Sequence, residues 1–172
     1  MKLTTAIVFV LMTALFLCIE NVCAETIDHR EELEKYTAEF LKIYPKRLER
    51  VRAEAIPAIL KYSEIYKVDP LLVACIISFE SSWRPRDGDL KEAGYMQLMR
   101  TKWASRFNLE TTDGQIHAGI ARLKMAFDKC GTVKEALTHY ASGSCRARTE
   151  TTREKIEFRA AYYRRLVRRF RG

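Results

Sequence analysis

Apolar residues recur along this chain at helical spacing almost from end to end. Leu33, Tyr36, Phe40, Leu41 and Tyr44 form one stripe, and Ile56, Ile59, Leu60, Ile65 and Tyr66 form the next, so residues 28–66 read as helix throughout. Pro45 and Pro57 are expected to end or kink it nearby. Then the pattern changes. Leu71, Leu72, Val73, Cys75, Ile76, Ile77 and Phe79 leave almost no polar face, which predicts a helix buried on nearly all sides. Asp69 is its N-cap candidate, with Pro70 at the first helical position. Residues 84–89 form a turn-rich loop containing Asp87 and Asp89. Residues 101–107 and 112–130 read as helices, the second striped by Ile116, Ile120, Leu123 and Phe127 and stopped at Gly131. Thr132 and Glu135 form a capping box for a short helix over 133–140, followed by a loop over 141–144. A last helix, about 150–170, sets Ile156, Phe158, Tyr162, Tyr163, Leu166, Val167 and Phe170 among many arginines. Nothing alternates with strand period between hairpin turns, so the expected class is all-α.

Composition sharpens this in three ways. A chain of 172 residues with 48% hydrophobic content can bury one core, as a single domain or a domain with a helical extension. The first 24 residues resemble a secretory signal: Lys2, an apolar run from Leu3 to Ile19, and Val22-Cys23-Ala24 as a cleavage site before Glu25. An uncleaved membrane anchor is the competing reading, because that run approaches spanning length. Cleavage after Ala24 predicts an exported protein of the periplasm or cell wall. It removes one lysine and one glutamate and leaves the net charge at +8. An exported basic protein suits an anionic wall polymer or lipid surface, with no nucleic acid expected. Cys75 belongs to the apolar helix as a core residue. Cys130 and Cys145 can pair only if the chain between them doubles back, which the sequence leaves open.

The candidate chemistry starts from Glu80, a carboxylate where the buried helix ends. One side of it should face low dielectric, which disfavours the charged form, as a general acid requires. Its charge also opposes the helix dipole there, so the placement wants a reason. The bland reading is a polar residue at a helix end. His29, His117 and His139 have no metal-type spacing, the cysteines complete no zinc pattern, and neither a phosphate loop nor a G-x-S-x-G elbow exists. No metal or cofactor is expected.

Three segments, in this order, resemble the soluble lytic transglycosylase family, whose fold is lysozyme-like. Asp69-Pro70-Leu71-Leu72 through Glu80-Ser81-Ser82-Trp83 is similar to the family helix ending in E-S-x-F/W. Gly94-Tyr95-Met96-Gln97-Leu98-Met99 is similar to G-L-M-Q-L-M, and Ala136-Leu137-Thr138-His139-Tyr140-Ala141-Ser142-Gly143 to A-L-A-A-Y-N-A-G. With residues 1–24 as signal peptide, the resemblance, which covers roughly residues 56–145, implies a transglycosylase domain over 56–172 and leaves 25–55 as an N-terminal helical extension. It makes Glu80 the single catalytic acid/base and Tyr140 the tyrosine beside it. Ser81, Gly94, Tyr95, Met96, Gln97 and Ala141 would bind substrate, with Trp83 and Tyr95 equally readable as core. The implied reaction cleaves the β-1,4 bond between N-acetylmuramic acid and N-acetylglucosamine of peptidoglycan, the muramic C6 hydroxyl closing onto C1 as a 1,6-anhydro end. Two departures stand out: Ala141 replaces an asparagine, and residues 88–93 lack a family serine.

Three rivals remain. A lysozyme-type muramidase would use Asp87 or Asp89 to activate water. A non-catalytic wall-binding or secretion-assembly protein would keep the fold alone. The basic end, Arg164 to Arg171, can lie on anionic lipid or wall polymer, although a solvated helix end packed on the domain explains it better. The expected state is a monomer.

Overall fold

Asp28 opens the first helix, α1 (His29–Phe40), by accepting the backbone N–H groups of Arg30 and Glu31 at 2.9 and 3.2 Å. The structure, a computed structural model, describes residues 27–85 and 92–172. The signal segment, Asp87, Asp89 and most of the stretch lacking the family serine lie outside the described residues.

The helical run over 28–66 is interrupted at residues 41–44, beside Pro45 as expected. Pro45 starts α2 (Pro45–Arg50), where its missing N–H costs nothing. Pro57 does not end the next helix but alters the turn before it. It cannot donate to the carbonyl four residues back, and the turn before it widens into a π-helical stretch, Val51–Ala55, that runs into α3 (Ile56–Tyr66). Lys67, at φ 54°, ends α3.

The central helix α4 (Pro70–Glu80) forms as its composition demands. Asp69 caps it, accepting the Leu71 N–H at 2.8 Å, and every residue from Pro70 to Ser78 is buried. Helices α1, α3 and α7 (Glu150–Arg171) surround it. Cys75 is 2% exposed, and burial pushes its thiol up to about 12.

Two expectations fail between Trp83 and Thr111. A short hairpin exists after all: β1 (Glu92–Ala93) pairs antiparallel with β2 (Leu98–Met99), with Glu92 opposite Met99. Two-residue strands are too short to show a period. The expected helix over 101–107 reduces to one 3₁₀ turn, Ala104–Arg106, above a small apolar cluster of Ala93, Leu98, Leu109 and Ala118.

Helix α5 (Thr112–Cys130) ends at Gly131, whose φ of +87° only glycine adopts freely. The capping box of α6 (Val133–Ser142) is present: the Thr132 hydroxyl accepts the Glu135 N–H at 3.2 Å and donates to its carboxylate at 2.9 Å. This helix runs two residues beyond expectation, so Ala141 and Ser142 are helical. A Cys130–Cys145 disulfide, with Cα atoms 5.6 Å apart, joins the end of α5 to the loop after α6. On α7, Ile156, Ala160 and Leu166 are buried and Val167 and Phe170 pack on the core, so the apolar residues of the basic end face inward. Helix α7 lies antiparallel to α4. Arg159 reaches Glu80 at one end, while Tyr163 and Arg171 reach Asp69 at the other.

Candidate functional site

Glu80 is the last residue of α4, and the chain after it turns at once. Ser82 and Trp83 take left-handed φ values of 50° and 60°, uncommon for residues with side chains. Trp83 holds the turn. Its indole N–H donates to Ser78 Oγ at 2.8 Å, and the Tyr36 hydroxyl lies 2.7 Å from the same atom. The Ser81 hydroxyl donates back to the Ile77 carbonyl at 3.2 Å. Glu80 is thereby left at a fixed helix end with its side chain 20% exposed.

The facing wall comes from the hairpin and α6. Gly94 at φ +74° and Gln97 at φ +46° bend the hairpin, and the Gln97 amide donates to the Gly94 carbonyl at 2.7 Å. The Tyr140 hydroxyl donates to the Met96 carbonyl at 2.8 Å, tying α6 to this turn. Burial, with the Glu80 charge adding to it, lifts the Tyr140 phenol far above its ordinary range, so it stays a donor. The hydroxyl of Tyr140 is thus directed at the hairpin carbonyl and not at Glu80.

A cleft of about 410 Å³ opens between these walls. Of the expected site residues, Glu80, Gln97, Tyr140 and Ala141 line it. Ser81, Gly94, Tyr95 and Met96 do not: all are buried, with Tyr95 and Met96 fully so. Tyr95 packs edge-on to the equally buried Trp83 at 6.5 Å between ring centroids, which settles both as core rather than cleft wall. Backbone is what Gly94 and Met96 contribute, through their carbonyls.

Three charged residues of the cleft were not anticipated: Arg159, Arg122 and Glu92. The Arg159 guanidinium donates to Glu80 Oε1 at 2.6 Å and sits 5.3 Å from the Phe79 ring centroid. Nothing local marks it among the arginines of α7; only the antiparallel seating on α4 selects it. Arg122 reads in sequence as the polar face of α5, and Glu92 as part of a loop. Among the described residues, no group of His, Cys, Asp or Glu could hold a metal ion. The cleft therefore offers one carboxylate at a rigid helix end, an obligate phenol donor, two guanidiniums and a second carboxylate on the hairpin.

The family model described as Transglycosylase SLT domain matches residues 57–162, more than half of the chain and the whole of this cleft. No curated protein and no solved structure matches the chain.

Proposed function

Because the chain belongs to the transglycosylase SLT family, with its lysozyme-like all-α fold and peptidoglycan substrate, we propose that Glu80 is the single acid/base of a lytic cleavage. One observation supports this above the others: Glu80 ends the buried α4 and faces the cleft shared by Gln97 and Tyr140. The glycan strand lies in that cleft. Protonated Glu80 gives its proton to the glycosidic oxygen, and the bond from muramic C1 to that oxygen breaks. The resulting carboxylate takes the proton of the muramic C6 hydroxyl as O6 bonds to C1. The products are a 1,6-anhydromuramic end and an N-acetylglucosamine end with a free hydroxyl, and Glu80 is protonated again. Tyr140 is a positioning residue that fixes the hairpin wall through Met96. Gln97, exposed Met99 and Ala141 contact the sugars.

The protein works outside the cytoplasm, cleaved after Ala24, in the periplasm or at the wall. The Cys130–Cys145 disulfide supports that placement, since such bonds persist in oxidising compartments.

Glu92 favours a second reading. It lines the same cleft as Glu80 and would activate water for hydrolysis, the part first assigned to Asp87 or Asp89. Mass spectrometry of fragments released from sacculi separates the two. Anhydro-muropeptides from the wild type and none from Glu80→Gln are the expected result; reducing ends transfer the assignment to hydrolysis with Glu92. Identical release by Glu80→Gln sinks both readings.

A further inference from the structure

Arg159 occupies the carboxylate on which the proposed reaction depends. Both side chains are about a fifth exposed, at 21% and 20%, and the guanidinium sits against Phe79 on a helix anchored at its far end to Asp69. The proposed acid works through its carboxyl oxygens and the guanidinium holds Oε1, so use of that oxygen needs Arg159 to let go. Releasing it unaided would strip a partly buried guanidinium of the carboxylate it is paired with, which is costly; exchange for another anion avoids that. Among the described residues, the other charged or titratable groups lining the same cleft are Arg122 from α5, Tyr140 from α6 and Glu92 from β1. Neither Arg122 nor Glu92 makes an ion pair among the described residues, so Arg122 is a further guanidinium that the resting Glu80 contact does not use.

We propose that Arg159 is a specificity-determining residue: it gives up Glu80 to take a carboxylate of the substrate. The enzyme then acts on strands that carry a carboxylate beside the scissile bond. This rests on Glu80 being the acid. Peptidoglycan supplies that chemistry from two sources, the lactyl carboxylate of a stripped muramic residue and the carboxylates of a stem peptide. Arg122 lines the same cleft and offers a second donor for the same group.

Binding tests the exchange without relying on turnover. Three glycan preparations serve as probes: strands stripped of stem peptides by an amidase, the same strands with their lactyl carboxylates converted to methylamides, and strands with intact stems. Glu80→Gln frees Arg159, so it should bind carboxylate-bearing strands roughly fivefold more tightly than the wild type. Its affinity for the methylamides should not change. Adding Arg159→Gln to Glu80→Gln should remove that gain, and Arg159→Lys should keep part of it. A gain with stripped strands identifies the lactyl carboxylate, and a gain with intact strands alone identifies the stem. Equal binding of all three preparations by Glu80→Gln, or a gain that survives Arg159→Gln, overturns the proposal. Should Arg159→Gln not fold, the comparison of carboxylate with methylamide on Glu80→Gln still decides. Failure of the acid assignment is read separately, as residual cleavage by Glu80→Gln.

Discussion

Ser82 and Trp83 carry positive φ values in succession, starting two residues after the candidate acid, and neither is glycine. Each such residue costs about 1–2 kcal/mol of backbone strain. The buried indole and its bond to Ser78 outweigh that cost, and the turn exists because Trp83 must fold back under α4. Ser82→Gly should therefore stabilise the protein by about 1 kcal/mol, since the left-handed conformation is open to glycine without penalty. Thermal unfolding checks this, and a lower midpoint would show that the Ser82 side chain matters more than its backbone. Gly119 makes the opposite case. A Cβ there would sit 2.1 Å from Met96 Sδ, so α5 passes Met96 only because this residue has no side chain. Gly119→Ala should cost about 1–3 kcal/mol by overpacking and should reduce cleavage by displacing the carbonyl that Tyr140 holds. Full activity with normal stability would mean that Met96 relaxes freely.

At the scale of elements, α7 clamps α4 at both ends, and the end remote from the cleft carries the stability. Burial works against the Asp69 charge, yet Arg171, Tyr163 and the Leu71 N–H together hold its carboxyl below the ordinary value of 3.8. A carboxyl with a folded value below its unfolded one stabilises the fold above the unfolded value and loses that contribution as pH falls through the folded one. Asp69→Asn should then lower stability by about 2 kcal/mol at neutral pH and flatten the acid-induced loss below about pH 4. Urea unfolding at several pH values measures both, and parallel acid profiles for the two proteins would remove Asp69 from the account. The cap itself was legible in Asp69-Pro70, as were the Thr132 and Glu135 box and the stop at Gly131, because each is a local rule that tertiary structure did not override. The prolines marked where the helix is interrupted, but spacing alone did not say that Pro45 starts a new helix while Pro57 only widens the turn before it. The hairpin was invisible since two-residue strands have no period. Glu80, Gln97 and Tyr140 were legible through motifs. Arg159 and Glu92 were not, because they reach the cleft by the packing of α7 and the bend of the hairpin rather than by any pattern around them.

For the whole molecule, the covalent link ties down the element that forms one wall of the cleft. Cys130 and Cys145 are 15 residues apart, and the segment between them is essentially α6, which bears Tyr140 and Ala141 on the cleft. Only Ala136, Leu137 and Thr138 of that helix are buried, so α6 relies on its cap, the Tyr140 bond to Met96 and the disulfide to stay seated. Closing a loop of this length contributes about 3 kcal/mol through the unfolded state. Both sulfurs belong to half-buried residues, which leaves them open to reductant, whereas Cys75 is shielded in the core. Reduction, or Cys145→Ser, should lower stability by about that amount. It should also depress cleavage at temperatures where the rest of the fold persists, because the loosened element is one wall of the cleft. Circular dichroism and product release followed together across a temperature series, with and without reductant, separate the two effects. Coincident loss would mean that α6 unfolds with the whole domain. Loss of cleavage first would make the oxidised bond a condition of activity and tie the chemistry at Glu80 to an oxidising compartment.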